Sequence, residues 1–198
     1  EKIPRRIEGY DISHMSGTDT VASMVVFTNG VSDKASYRKF KMRVPGNDDF
    51  AHMREVISRR VSPKNQKAWG LPDLFLIDGG KGQLSSALAM LGEHDIKKPA
   101  IGLAKQFEEI IVQKDWKYLQ INRKKVTSLH GTVLESDEFL SIRLPHNSHV
   151  VKLLQRIRDE SHRFAVSYHS VLKTNRQTAS LLDDIPTIGP VTRKKLLK

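Results

Sequence analysis

The sequence predicts an α/β fold, a mixed five-stranded sheet flanked by helices, and three observations predict it. Residues 74–77 are four large apolar residues that end on Asp78 and a Gly79-Gly80-Lys81-Gly82 turn. That is the pattern of a strand buried on both faces in a parallel sheet. Upstream, the apolar stretch 21–28 runs into Asn29-Gly30, a strong hairpin signal that adds antiparallel strands. Downstream, Val150, Leu154, Ile157, Phe164, Tyr168 and Val171 recur at helical spacing and form one apolar stripe of a long helix.

Taken in order, residues 7–13 form the first expected strand, with Ile7, Gly9, Asp11 and Ser13 on one face. Residues 21–28 form the second. Residues 36–44 return antiparallel, with Tyr37, Lys39, Lys41 and Arg43 on a solvated, basic side. Pro45-Gly46-Asn47 breaks that strand, and Asp48 reads as the N-cap of a helix carrying Phe50, Met53, Val56 and Ile57. Residues 61–69 read as a polar linker. After the buried strand come a helix over 82–91, a short strand over 100–104 and a hairpin of 109–112 with 116–121. Residues 121–149 carry no clear period, and Arg123-Lys124-Lys125 within them is expected to be exposed. The long helix covers 148–172, and residues 174–180 read as a linker to something new at Leu182. The expected domains are therefore 1–174 and 175–198. Strand, hairpin, helix, strand, helix, strand and a final long helix is the element order of the ribonuclease H-like fold.

The 198 residues suffice for one full domain and a smaller appendage. Lys and Arg number 33 against 22 acidic residues, a net charge of +11, which favours a polyanionic partner, nucleic acid first. A membrane surface is disfavoured because no cationic amphipathic helix with an aromatic apolar face is present. No stretch reaches the roughly 18 apolar residues of a membrane span, and no signal peptide is visible. Glu1 is not a natural initiator, so the chain is expected to be a piece of a longer protein. The absence of cysteine excludes disulfides and thiolate metal sites and fits a cytoplasmic location.

Two expected strands each place an aspartate near their ends, Asp11 and Asp78. On neighbouring strands about 4.8 Å apart, the two carboxylates can share one divalent cation, Mg²⁺ or Mn²⁺. Without a cation they repel, and one takes a proton at neutral pH. His162 lies off the apolar stripe of the long helix, on a flank with Arg158, Ala165 and His169. Beside two metal-bound carboxylates it serves as ligand, acid or base; taken singly, it is a surface histidine and Asp11 an edge-strand aspartate. The glycine run does not have the spacing of a nucleotide-binding phosphate loop. Its glycines permit a tight turn and close backbone approach, and Lys81 can meet a substrate phosphate or simply be solvated. Of Asp48 and Asp49, the helix N-terminus accounts for at least one, and a direct metal role is the lesser reading. Residues 185–191, with Gly189, form a hairpin between two helices that points backbone N–H groups at a DNA phosphate, followed by Arg193 and Lys194. This is the first part of a helix-hairpin-helix. A different class of function, a DNA-binding scaffold with purely structural acids, is the competing expectation.

Tyr10-Asp11-Ile12-Ser13-His14, Leu76-Ile77-Asp78-Gly79-Gly80-Lys81-Gly82-Gln83 and Ile157-Arg158-Asp159-Glu160-Ser161-His162-Arg163-Phe164-Ala165 together closely resemble the UvrC family, the incision subunit of bacterial nucleotide excision repair. The resemblance covers the C-terminal half of such proteins, from the ribonuclease H-like endonuclease domain into the helix-hairpin-helix region. It does not cover the GIY-YIG nuclease domain, the UvrB-binding segment or the second hairpin. It implies a metal-dependent endonuclease making the 5′ incision next to a lesion. Asp11, Asp78 and His162 are then the catalytic and metal-binding set for Mg²⁺ or Mn²⁺. Lys81, Arg158, Gly189, Arg193 and Lys194 are the expected DNA contacts. The implied partners are damaged double-stranded DNA and UvrB, with UvrA acting upstream, and the protein is expected to be a monomer.

Overall fold

In a computed structural model, residues 3–14, 20–105 and 107–183 are described, with side chains as far as residue 167. Strands β1 (Arg6–His14) and β2 (Thr20–Thr28) are followed by β3 (Val31–Ser32) and β4 (Arg38–Lys41). Helices α1 (Asp49–Arg60) and α2 (Pro63–Trp69) lead to β5 (Leu74–Asp78), α3 (Lys81–Glu93), β6 (Ala100–Ala104) and β7 (Glu109–Gln113). Then come α4 (Arg123–Ser128), β8 (Thr132–Glu135), β9 (Phe139–Arg143) and α5 (His149–Asp183). The sheet runs β3-β2-β1-β5-β6-β7-β9-β8, with β4 also paired to β2. Its centre, β1-β5-β6, is parallel and its flanks are antiparallel, so the sheet is mixed, as expected. No described helix is long and apolar enough to cross a membrane.

The sheet has nine strands rather than five. Part of the excess is β3, which lies ahead of the return strand expected over 36–44. A short 3₁₀ turn, Lys34–Ser36, separates it from β4, the part of that return strand that forms, and both pair with β2. The rest comes from residues 132–143, which carried no readable period. Strand β7 pairs with β9, Ile110 opposite Ile142, rather than with 116–121. Trp116 there donates its indole N–H to the Lys98 carbonyl at 2.9 Å and meets Tyr118 edge-on. Its apolar surface thus fills a turn instead of a ladder. Residues 63–69, expected as a linker, form α2 with Pro63 in its first turn, where a missing N–H removes no helical bond. Helix α5 runs on through 174–180 to Asp183. The expected hairpin, with Gly189, Arg193 and Lys194, lies outside the described residues.

The alternation of β1 sorts the two faces of the sheet. Glu8 and Tyr10 point to α1, where Arg60 meets Glu8. Gly9 and Asp11 point to α5. On the first face Met53, Val56, Ile57, Leu84, Leu88 and Leu91 pack over Tyr10, Phe75 and Ile77, all buried, each such side chain contributing about 1.5–3 kcal/mol. On the second face α5 buries Val151, Leu154, Ile157, Ser161 and Ala165. The stripe is turned from the expected one, because Val150 is 45% exposed. Small groups set this close approach. A Cβ on Gly9 would sit 2.5 Å from Ile157 Cγ2, and Ser23 Oγ donates to the Ser161 carbonyl at 3.0 Å.

Candidate active site

Parallel pairing of β1 with β5 sets Tyr10 opposite Ile77, so the next residues, Asp11 and Asp78, are neighbours on the face under α5. Both are buried, 4% and 7% exposed. Ser13 Oγ donates to Asp11 Oδ2 at 3.0 Å. Helix α5 brings His162 Nδ1 to 3.5 Å from the same oxygen, which spacing along the chain could not place. The three expected residues therefore converge. Asp78 stands differently from Asp11: neither of its oxygens has a hydrogen-bond partner among the described residues. The Lys105 ammonium lies 3.5 Å from Oδ2. Burial pushes the Asp78 carboxyl up to about 6; Lys105 opposes that rise and the Asp11 charge adds to it.

Two buried carboxylates with two orphaned oxygens, and an imidazole beside them, fit a divalent cation. Such an ion prefers oxygen ligands and satisfies buried negative charge that a largely exposed Lys105 offsets only in part. The residues able to hold it are Asp11, Asp78 and His162.

The glycine turn after Asp78 packs as a close approach. Gln83 Oε1 accepts the Gly80 N–H at 3.0 Å, and any Cβ on Gly79 would collide with that side chain. The turn is thus closed by its own helix. Lys81 opens α3 exposed, 3.3 Å from Ser136 Oγ and over the Phe139 ring. Asp48 caps α1, accepting from Phe50 and Ala51 N–H at 2.9 and 3.1 Å, while Asp49 turns instead to His14.

Asp78 and His162 line a cleft of about 500 Å³ with Lys105, Glu108, Arg158 and Arg163. Arg158 is held there by both oxygens of Glu108, at 2.7 and 2.6 Å, and by Asp159 at 3.1 Å. Lys105 and Glu108 were not singled out from sequence. The available signal was position: both follow β6, whose carboxyl end lies beside that of β5 in parallel register, Asp78 opposite Leu103. A slightly larger and more apolar cavity, about 560 Å³, is bounded by Leu74, Ile101, Ile110, Leu129 and Val150 and contains none of the three converging residues.

The UvrC RNAse H endonuclease domain family matches residues 1–166. UvrABC system protein C of Methanococcoides burtonii is 48% identical over 196 residues, covering 98% of this chain and 29% of that protein. The protein of the same name from Chlorobium phaeobacteroides is 44% identical over 198 residues, covering 100% of this chain and 28% of its own length. The chain thus spans under a third of these curated relatives. Among solved structures, an endonuclease V from Bacillus subtilis resembles it with a TM-score of 0.44 at 16% identity, covering 84% of this chain and 83% of that one.

Proposed function

The chain belongs to the UvrC family, and from that premise we propose that it is a metal-dependent DNA endonuclease making the 5′ incision beside a lesion in nucleotide excision repair. The observation that carries this reading is the buried Asp78, whose oxygens accept no hydrogen bond among the described residues, beside Asp11 and His162. A purely structural acid would have its oxygens hydrogen-bonded, which disfavours the scaffold alternative. Asp11, Asp78 and His162 would hold Mg²⁺ or Mn²⁺, which when bound would polarise the scissile phosphate and lower the pKa of the attacking water.

The protein's own groups have distinct tasks. Asp78, with its carboxyl near 6, must lose its proton before it can ligate, and Lys105 favours that ionised form. Ser13 fixes the rotamer of Asp11, and Asp11 in turn orients the His162 ring. That ring is 63% exposed, and His162 completes the site as ligand or proton-transfer group. Glu108 and Asp159 hold Arg158 on the cleft wall, where it would meet a DNA phosphate by exchanging a carboxylate for it, and the exposed Lys81 adds positive charge at the turn. Gly189, Arg193 and Lys194 are proposed as further backbone contacts. The net charge of +11 supports DNA binding that weakens steeply with salt. Damaged duplex and UvrB are the proposed partners of a monomer working in the cytoplasm.

The test is 5′ incision of a lesion-bearing duplex by the full-length protein with UvrB and Mg²⁺. Asp78→Ala is expected to lose about 10²–10⁴-fold or more in rate, the range for removal of one catalytic group. Undiminished 5′ cutting by Asp78→Ala overturns the assignment.

A further inference from the structure

We infer that His14, Asp49 and His52 form a second metal site, for a d-block dication of the zinc type, tying the carboxyl end of β1 to the first turn of α1. One ligand atom from each of the three lies within 4.8 Å of the others. The two imidazole rings are 5.8 Å apart, centre to centre. His52 is fully buried. Its Nε2 lies 3.0 Å from the Val44 carbonyl, which can only accept, so Nε2 carries the proton and Nδ1 presents a bare lone pair. That Nδ1 is buried and has no partner among the described residues. An orphaned buried acceptor is costly, and a cation removes the cost.

His14 is prepared in the same way. Its Nδ1 lies 3.1 Å from Thr20 Oγ1, and its Nε2 lies 2.5 Å from Asp49 Oδ1. With its Nδ1–H given to the threonine hydroxyl, His14 would offer Nε2, beside the Asp49 carboxylate, to a metal. Each imidazole thus has one nitrogen beside an outer oxygen, which leaves Nδ1 of His52 and Nε2 of His14 as the nitrogens to offer a metal, as in metal-binding histidines. Asp49 is free for this role because Asp48 does the capping.

Two imidazoles and one carboxylate select zinc-like ions over Mg²⁺ or Ca²⁺ and leave one coordination position for water. The Asp11–Asp78 pair has the opposite, oxygen-rich preference. The alternation of β1 puts His14 on the other face of the sheet from Asp11, so the two sites are separate. Their closeness along the strand, three residues apart, means that metal at His14 stiffens the strand end that carries Asp11. The inference stands independently of the endonuclease reading, since it uses none of the three residues assigned there.

The test is titration of the metal-free chain with Co²⁺, read by visible absorption, with circular dichroism to verify folding of each variant. One equivalent of Co²⁺ is expected to give a ligand-field band that Zn²⁺ abolishes and excess Mg²⁺ does not. His14→Asn and Asp49→Asn, both at partly exposed positions, are expected to weaken Co²⁺ binding by roughly 100-fold or more, since loss of an outer partner alone costs 10–100-fold. His162→Asn should leave the band intact. No band in the folded wild type overturns the site, as does a band that survives His14→Asn or disappears in His162→Asn.

Discussion

Glu8 on β1 and Asp78 on the adjacent β5 are both buried carboxylates, 0% and 7% exposed, with opposite surroundings. Glu8 receives Arg60 through Nε at 2.9 Å and Nη2 at 2.7 Å, the Tyr10 hydroxyl at 2.6 Å and Arg6 Nη2 at 3.0 Å. The Tyr10 hydroxyl pKa is pushed well up by its burial and by the Glu8 charge, which keeps it a donor. Among the described residues Asp78 has one ion contact, at 3.5 Å, from a lysine whose side chain is 67% exposed. Burying a charge is unfavourable unless partners compensate. At Glu8 the chain supplies those partners itself. At Asp78 the chain leaves the deficit largely open, and the proposed cation would fill it.

Breaking the satisfied site should produce the largest loss of stability. Arg60→Met strands Glu8 and is expected to lower unfolding free energy by about 3–5 kcal/mol, measured by urea denaturation; a loss under about 1 kcal/mol would mean Glu8 is held by other groups. Neutralising the unsatisfied site should do the reverse. Asp78→Asn is expected to raise stability by about 2–3 kcal/mol at pH 7 without metal, while abolishing cleavage. The sign follows from the raised carboxyl, about 6 when folded against 3.8 for the ordinary group. Below about pH 4 both states are protonated. As pH rises to about 6 the folded protein holds the proton more tightly, and this favourable contribution is lost across that window. Wild type should therefore fall in stability between pH 4 and 6 more than Asp78→Asn does, and Mn²⁺ should restore wild type alone.

Gly9→Ala tests the helix that carries His162. The added Cβ meets Ile157 at 2.5 Å, so α5 must shift, at about 1–3 kcal/mol. Incision should fall further than the unfolded fraction accounts for, and a drop matching only that fraction would separate His162 placement from this contact. The smallest effect is expected at Lys105. Lys105→Met removes the cation that lowers the Asp78 carboxyl, so the midpoint of metal binding against pH should move upward. A midpoint that stays or moves down would show that Lys105 does not act on Asp78.

What the sequence made legible divides along the same physical line. Strands β2, β5 and β6 were readable because burial on both faces forces apolar runs, and helix α3 because it follows a strand that ends in a glycine turn. The aspartate pair was noticeable because two expected strands each carry an Asp near the carboxyl end. The β8–β9 hairpin was not, since β8 is mostly exposed and no alternation marks it. Trp116 and Tyr118 misled because aromatic side chains that pack on a surface turn resemble those of a strand. The stripe on α5 was misplaced at Val150 because Gly9 and Ser23, both small, decide which helix face can sit down. Convergence of His162 on Asp11, and of Lys105 on Asp78, depends on strand order and helix approach, which no local pattern encodes.

The most direct measurement is anomalous diffraction at the manganese edge from crystals soaked in Mn²⁺ near pH 7. A peak is predicted between Asp11 and Asp78, about 2.0–2.4 Å from a carboxylate oxygen of each, with Lys105 displaced from Asp78. No peak there, with the Lys105 ammonium still seated against Asp78, would contradict the assignment of these carboxylates as the nuclease metal site.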